Sequence, residues 1–233
     1  MTTYHSLNLS MSDIKKSKFP SQLWYWLLAL VALVGGIWLS INQQQHTTEP
    51  PQLASASLLL PARETADVTL VDQNGKAFAK QQLKGSYNFM FFGYTNCPDI
   101  CPATLYQFKT LAKKLQPYPE ILANTNFILV SIDPQRDTSK HLKEYVEYYH
   151  PDFIGLTGAE QDIKTFSRQM GVIYERRSIE DASSPDQYLV DHSSAILLTN
   201  PAGQLQAVFG VPHNPDLILK DYLAIYQYLE QQS

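Results

Sequence analysis

The order of apolar segments predicts an α/β sandwich preceded by one transmembrane helix. Three observations predict it. A 19-residue stretch without charge lies near the N-terminus, short apolar runs alternate with segments of helical periodicity from about residue 87, and the chain closes on two strands and a helix. The 233 residues are 44% hydrophobic, enough to build a core and to exclude wholesale disorder. The net charge of −4 offers no basic face for nucleic acid. Two cysteines exclude a multi-disulfide scaffold and a zinc site of four thiolates.

The uncharged stretch is Leu23 to Ile41. As a helix it would span about 28 Å, close to the hydrocarbon thickness of a bilayer. Trp24 and Trp26 stand at one end and Trp38 at the other, as in an aromatic belt. It exceeds the h-region of a cleaved signal peptide, usually about 7–15 residues. The small-residue triplet Ala54-Ser55-Ala56 is too far downstream to be its cleavage site. Lys15, Lys16 and Lys18 precede the stretch, whereas Asn42 to Gln45 carry no charge. The positive-inside rule then puts residues 1–22 in the cytoplasm or matrix and the C-terminal domain in the periplasm or an equivalent compartment; the expected location is a single-pass anchor in the inner (cytoplasmic) membrane with the domain periplasmic. There disulfides can form. Residues 42–63, rich in Gln, Thr, Pro and Ala, read as a linker, and residues 64–233 as the globular domain.

Within that domain Val68 to Val71 leads into Asn74-Gly75, a hairpin signal. Tyr87 to Phe92 and Phe127 to Ile132 read as buried central strands. Leu105, Phe108, Ala112 and Leu115 recur at helical spacing after Pro102; Leu142, Tyr145, Val146 and Tyr149 do so after Asp137-Thr138, two capping candidates. Phe153 to Leu156 is a short strand, and Ile163, Phe166 and Met170 mark a third helix. Ala195 to Leu198 and Leu205 to Phe209 flank a turn at Asn200 to Gly203, and Ile218 to Leu229 forms the last helix. The order fits a thioredoxin-like sandwich with an N-terminal β-hairpin extension.

Both cysteines fall in Gly93-Tyr94-Thr95-Asn96-Cys97-Pro98-Asp99-Ile100-Cys101-Pro102, between the end of a buried strand and the start of a helix, where open α/β sheets carry their sites. Each cysteine precedes a proline, which disfavours helical geometry. Pro102 suits the first helical position, so Cys101 sits beside a helix N-terminus that favours thiolate. A disulfide across so short a loop contributes only about 2 kcal/mol. Two chemistries remain. One is thiol–disulfide exchange by Cys97 and Cys101, although redox pairs of this fold usually have two intervening residues rather than three. The other is metal binding, where thiolates select Cu(I) or zinc and Cu(I) accepts three ligands. Among the histidines, His5 and His46 lie outside the domain, and His141 and His150 read as helix-surface residues. His213 reads as a loop residue. His192, in Val190-Asp191-His192-Ser193-Ser194 at the start of a strand, has Asp191 and the serines as candidate partners for its imidazole.

Four segments together resemble the Sco/SenC family: Phe91 to Pro102, Val130 to Thr138, Phe153 to Gly158, and Val190 to Ser194. These are membrane-anchored copper chaperones for cytochrome c oxidase assembly. The resemblance covers about residues 64 to 231. It implies a thioredoxin-like fold and copper ligands at Cys97, Cys101 and His192, holding Cu(I) and leaving Cu(II) open. The implied acceptor is the binuclear copper site of cytochrome c oxidase subunit II or another cuproprotein, with no small-molecule substrate. The alternative is a thiol–disulfide oxidoreductase that reduces the acceptor's cysteines or acts in redox sensing. Asp133 follows a buried strand and either borders the site or serves its turn. Ser178 to Gln187 is longer and more polar than the resemblance leads one to expect.

Overall fold

A computed structural model describes residues 22–44, 49–178 and 188–232. The chain divides into two units, Met1–Glu49 and Pro50–Ser233. The elements in order are α1 (Gln22–Gln44), β1 (Ala56–Arg63), β2 (Thr69–Asp72), β3 (Ala77–Ala79), β4 (Tyr87–Gly93), α2 (Ile100–Lys114), α3 (Pro119–Ala123), β5 (Thr125–Ser131), α4 (Ser139–Tyr149), β6 (Ile154–Thr157), α5 (Glu160–Gln169), β7 (Tyr174–Ser178), β8 (Tyr188–His192), β9 (Ile196–Thr199), β10 (Leu205–Phe209) and α6 (Pro215–Glu230).

The first unit contains α1, whose 23 residues include the uncharged stretch. Among the described residues no helix is long and apolar enough to cross a membrane. The lysines used to orient the anchor, and most of the Ser178 to Gln187 segment, lie outside the described residues.

In the second unit eight strands form one sheet, in the order β1-β10-β9-β4-β5-β6-β2-β3. Strand β4, Tyr-Asn-Phe-Met-Phe-Phe-Gly, is buried at all seven positions, as its unbroken apolar run demands. It pairs in parallel with β5, from Tyr87 opposite Thr125 to Gly93 opposite Ser131. On its other side it pairs antiparallel with β9. Alternation along β4 sends successive rings to opposite faces. Phe89 meets Phe108 of α2 and Tyr222 of α6, while Phe92 meets Phe166 of α5. Helices therefore cover both faces. The β2–β3 hairpin turns at Gly75, whose φ of 76° suits glycine. Thr138 caps α4 by accepting from the His141 N–H. At α6, Asn214 caps and Pro215 takes the first position.

Three features depart from the sequence reading. The stretch read as a linker ends in a strand, because Ala56–Arg63 forms β1 and pairs with β10. Asp221 of α6 fastens the start of that strand. Its carboxylate is 1% exposed and accepts the N–H of Ala54 at 3.0 Å, of Ser55 at 2.6 Å and of Ala56 at 3.0 Å, plus the Ser55 hydroxyl at 2.8 Å. Burial pushes its pKa up, but these donors outweigh burial and hold the carboxyl below the usual carboxylate range. Losing the carboxylate would orphan three N–H groups, each worth about 1–3 kcal/mol when buried. Second, α2 begins at Ile100, with Pro102 third rather than first. Proline is tolerated there because first-turn N–H groups have no helical partner. Third, β7 and β8 form a separate two-stranded ribbon. Its first strand, Tyr-Glu-Arg-Arg-Ser, carries no apolar alternation that would announce it.

Candidate metal centre

The site is assembled from the β4–α2 connection and the end of β8. Cys97 is half-buried in the connection and Cys101 is fully buried in the first turn of α2. The two thiols are not bridged. Asp137, itself fully buried, holds the connection in place. It accepts the Thr95 N–H at 3.1 Å, the Thr95 hydroxyl at 2.5 Å and the Ser131 hydroxyl at 2.7 Å. Burial still leaves its carboxyl above the usual range, with those hydrogen bonds opposing. Gly93 makes room for the thiol: a Cβ there would stand 2.7 Å from Cys101 Sγ and 2.8 Å from the Phe91 ring. No side chain fits.

His192 is the last residue of β8, opposite Tyr174 in the ribbon, rather than at the start of β9 as the sequence reading had it. Two tyrosines help to hold the ribbon. Tyr94, from the cysteine connection, accepts the Val190 N–H on its hydroxyl at 3.2 Å. Tyr188 donates its hydroxyl to Asp133 at 2.6 Å, lies under the Arg136 guanidinium at 3.7 Å, and accepts from Arg136 through its carbonyl at 3.1 Å. Asp133 is fully buried and also pairs with Arg136, while its backbone carbonyl accepts from Arg136 and Asp137. It is a turn carboxylate that fastens the ribbon and does not belong to the thiol–imidazole cluster.

The imidazole is oriented by backbone. His192 Nδ1 lies 3.0 Å from the Ser193 carbonyl oxygen. A carbonyl only accepts, so Nδ1 carries the proton and Nε2 presents its lone pair. That Nε2 lies 3.6 Å from Cys101 Sγ. The expected side-chain partners are otherwise engaged: Asp191 pairs with Arg177 at 3.2 Å, and the Ser193 hydroxyl faces the Ile173 N–H at 3.4 Å. Phe91 and Tyr94 wall the ring edge-on.

The structure brings Cys97, Cys101 and His192 together, their ligand atoms all within 4.8 Å of one another. Bonds of about 2.0–2.3 Å to nitrogen and sulfur place three trigonal ligands roughly 3.5–4 Å apart, so a slight contraction suffices. The donor set fits a soft monovalent ion. The Cys97 thiol is lowered chiefly by a hydrogen bond from Cys101, against burial. Cys101 is raised by that same hydrogen bond and by burial. One proton between two sulfurs is the state that a thiophilic cation displaces. His213 stands outside this cluster, on Thr104. His150 is half-buried and stacked on Phe153, while His141 is exposed.

The SCO1/SenC family profile matches residues 58–227. The chain belongs to the SCO1/SenC family. A SCO2-like protein of Rickettsia felis is 34% identical over 196 residues, covering 83% of this chain and 92% of that protein. The copper-bound ScoI of Arabidopsis thaliana is 31% identical with a TM-score of 0.64, over 70% of this chain and 98% of that one. BsSco, whose structure is described with a disulfide switch and as a member of the Sco family of cytochrome c oxidase assembly proteins, is 26% identical with a TM-score of 0.53, over 75% and 98%. The SCO1/SenC protein thus has the mixed α/β, thioredoxin-like fold of its copper-bound relatives. The match starts at Leu58, inside β1, so that strand belongs to the family domain.

Proposed function

We propose that this SCO1/SenC protein is a membrane-anchored copper chaperone. It holds one copper ion on Cys97, Cys101 and His192 and passes it to the binuclear copper site of cytochrome c oxidase subunit II or another cuproprotein acceptor. The observation that carries the reading is the convergence of two unbridged thiols and a fixed Nε2 lone pair within 4.8 Å. Thiolates favour Cu(I), and imidazole accommodates Cu(II) as well. Transfer proceeds by ligand exchange from the side of Cys97, the half-buried sulfur. Copper titration of the reduced full chain, run beside a dithiol reductase assay, tests this. The expected result is one retained copper per chain and no metal-free turnover of disulfides. Turnover without copper retention would contradict it.

The thiol–disulfide alternative rests on one feature, the readily ionised and accessible Cys97 beside a second thiol. Such a thiolate attacks disulfides. The two roles are compatible, since an acceptor loads copper only when its own thiols are reduced.

The anchor is part of the same proposal. The uncharged stretch, its terminal tryptophans and the preceding lysines support a single pass in the inner membrane with the domain in the periplasm. A reporter fused after Ser233 should be active only on the periplasmic side; cytoplasmic activity would reverse the orientation.

A further inference from the structure

His213 lies in the connection between β10 and α6, outside the thiol–imidazole cluster, yet it is bonded to the helix turn that carries Cys101 and meets the ring that walls His192. Its Nδ1 is 3.1 Å from the hydroxyl of Thr104, a buried residue one turn into α2. The Thr104 hydroxyl donates its single proton to the Ile100 carbonyl at 2.8 Å. It can therefore only accept from the imidazole, and Nδ1 carries the proton. The carbonyl at the end of that chain belongs to the residue before Cys101. Its Nε2 is buried and makes no hydrogen bond, a cost that a polar ring in a loop would ordinarily avoid by turning outward.

Phe91 completes the connection. Its ring meets His213 at 6.3 Å and 84°, and His192 at 5.7 Å and 73°. The same ring backs the tight space at Gly93 into which Cys101 Sγ fits. One imidazole thus joins the first turn of α2 to the aromatic wall beside His192.

We infer that His213 is a positioning residue of the metal centre, which sets the separation of Cys101 from His192 without binding the metal. The inference rests on the copper reading above. Close-packed interiors transmit sub-ångström shifts rather than absorb them, so removing the brace should alter coordination while leaving the ligands in place.

The test loads the full chain with Cu(II), and with Cu(I), and reads two quantities. These are the sulfur-to-Cu(II) charge-transfer absorption and the rate of Cu(I) loss to a chelator. His213→Ala should keep one copper per chain, shift the absorption band and speed copper loss about tenfold. Thr104→Val keeps the imidazole but deletes its partner, and should move both readouts in the same direction. His213→Asn, whose amide stands where Nδ1 stands, should stay near wild type. Should His213→Ala not fold, Thr104→Val alone decides. An unchanged band and rate in these variants would overturn the inference, even with lower stability. Complete loss of copper in His213→Ala would overturn it too, by making His213 a ligand. If wild type bound no copper, the functional reading would fail instead. The brace would then be read in the metal-free chain from the His192 ring-nitrogen NMR shifts, which should move in Thr104→Val and would refute it by staying put.

Discussion

Serine in place of Cys101 should abolish tight copper binding, with a fall in affinity of at least a thousandfold in competition with a Cu(I) chelator. The side chain is fully buried, wedged against Gly93 and 3.6 Å from His192. Serine fills nearly the same space, so the domain should keep its fold. What changes is the donor. A hydroxyl stays protonated at neutral pH and offers a hard oxygen where a soft ion requires thiolate. Cys97→Ser should lose copper in the same way. The two sulfurs differ in the metal-free protein, because Cys97 is the sulfur whose ionisation Cys101 assists. Cys101→Ala, which has no donor, withdraws that hydrogen bond and should slow alkylation of Cys97 at neutral pH. Retention of copper by either variant at wild-type affinity would remove the dithiol from the site.

Alanine in place of His192 separates the chaperone from the oxidoreductase. Copper needs the Nε2 lone pair, whereas disulfide exchange needs only the attacking thiolate and a good leaving group. The variant should lose copper to a chelator at least about a hundredfold more readily, since changes to the partners of a ligand alone cost about 10–100-fold, yet still form the Cys97–Cys101 disulfide on oxidation. Because protons compete at all three ligand atoms, acidification should release copper from wild type as imidazole and thiols protonate. Full copper binding by His192→Ala, together with loss of metal-free reductase turnover, would replace the chaperone with its rival.

The sequence carries most of this fold because its signals are local. The apolar run of β4, the periodic helices and the Asn74-Gly75 turn each state their own geometry, and the structure follows within a few residues. The cysteine loop is legible for the same reason, whereas His192, 91 positions from Cys101, is singled out by its neighbours Asp191 and the serines and by the family resemblance. What escaped depends on partners distant in sequence. Strand β1 reads as linker because it pairs with β10 some 150 residues later, from Ala56 opposite Phe209 onward, and Asp221 that fastens it shows no pattern of its own. The β7–β8 ribbon is polar, and its hold on the site comes from Tyr188, Asp133 and Arg136 meeting across the fold. Ser193 was expected to orient His192 through its side chain and instead does so through its carbonyl, an atom that every residue has.

The most direct test of the central claim is X-ray absorption at the copper edge on the reduced, Cu(I)-loaded full chain. The spectrum should show a three-coordinate ion with two sulfurs and one nitrogen, the nitrogen disappearing in His192→Ala. A two-sulfur site unchanged by His192→Ala, or one whose nitrogen is lost in His213→Ala instead, would contradict it.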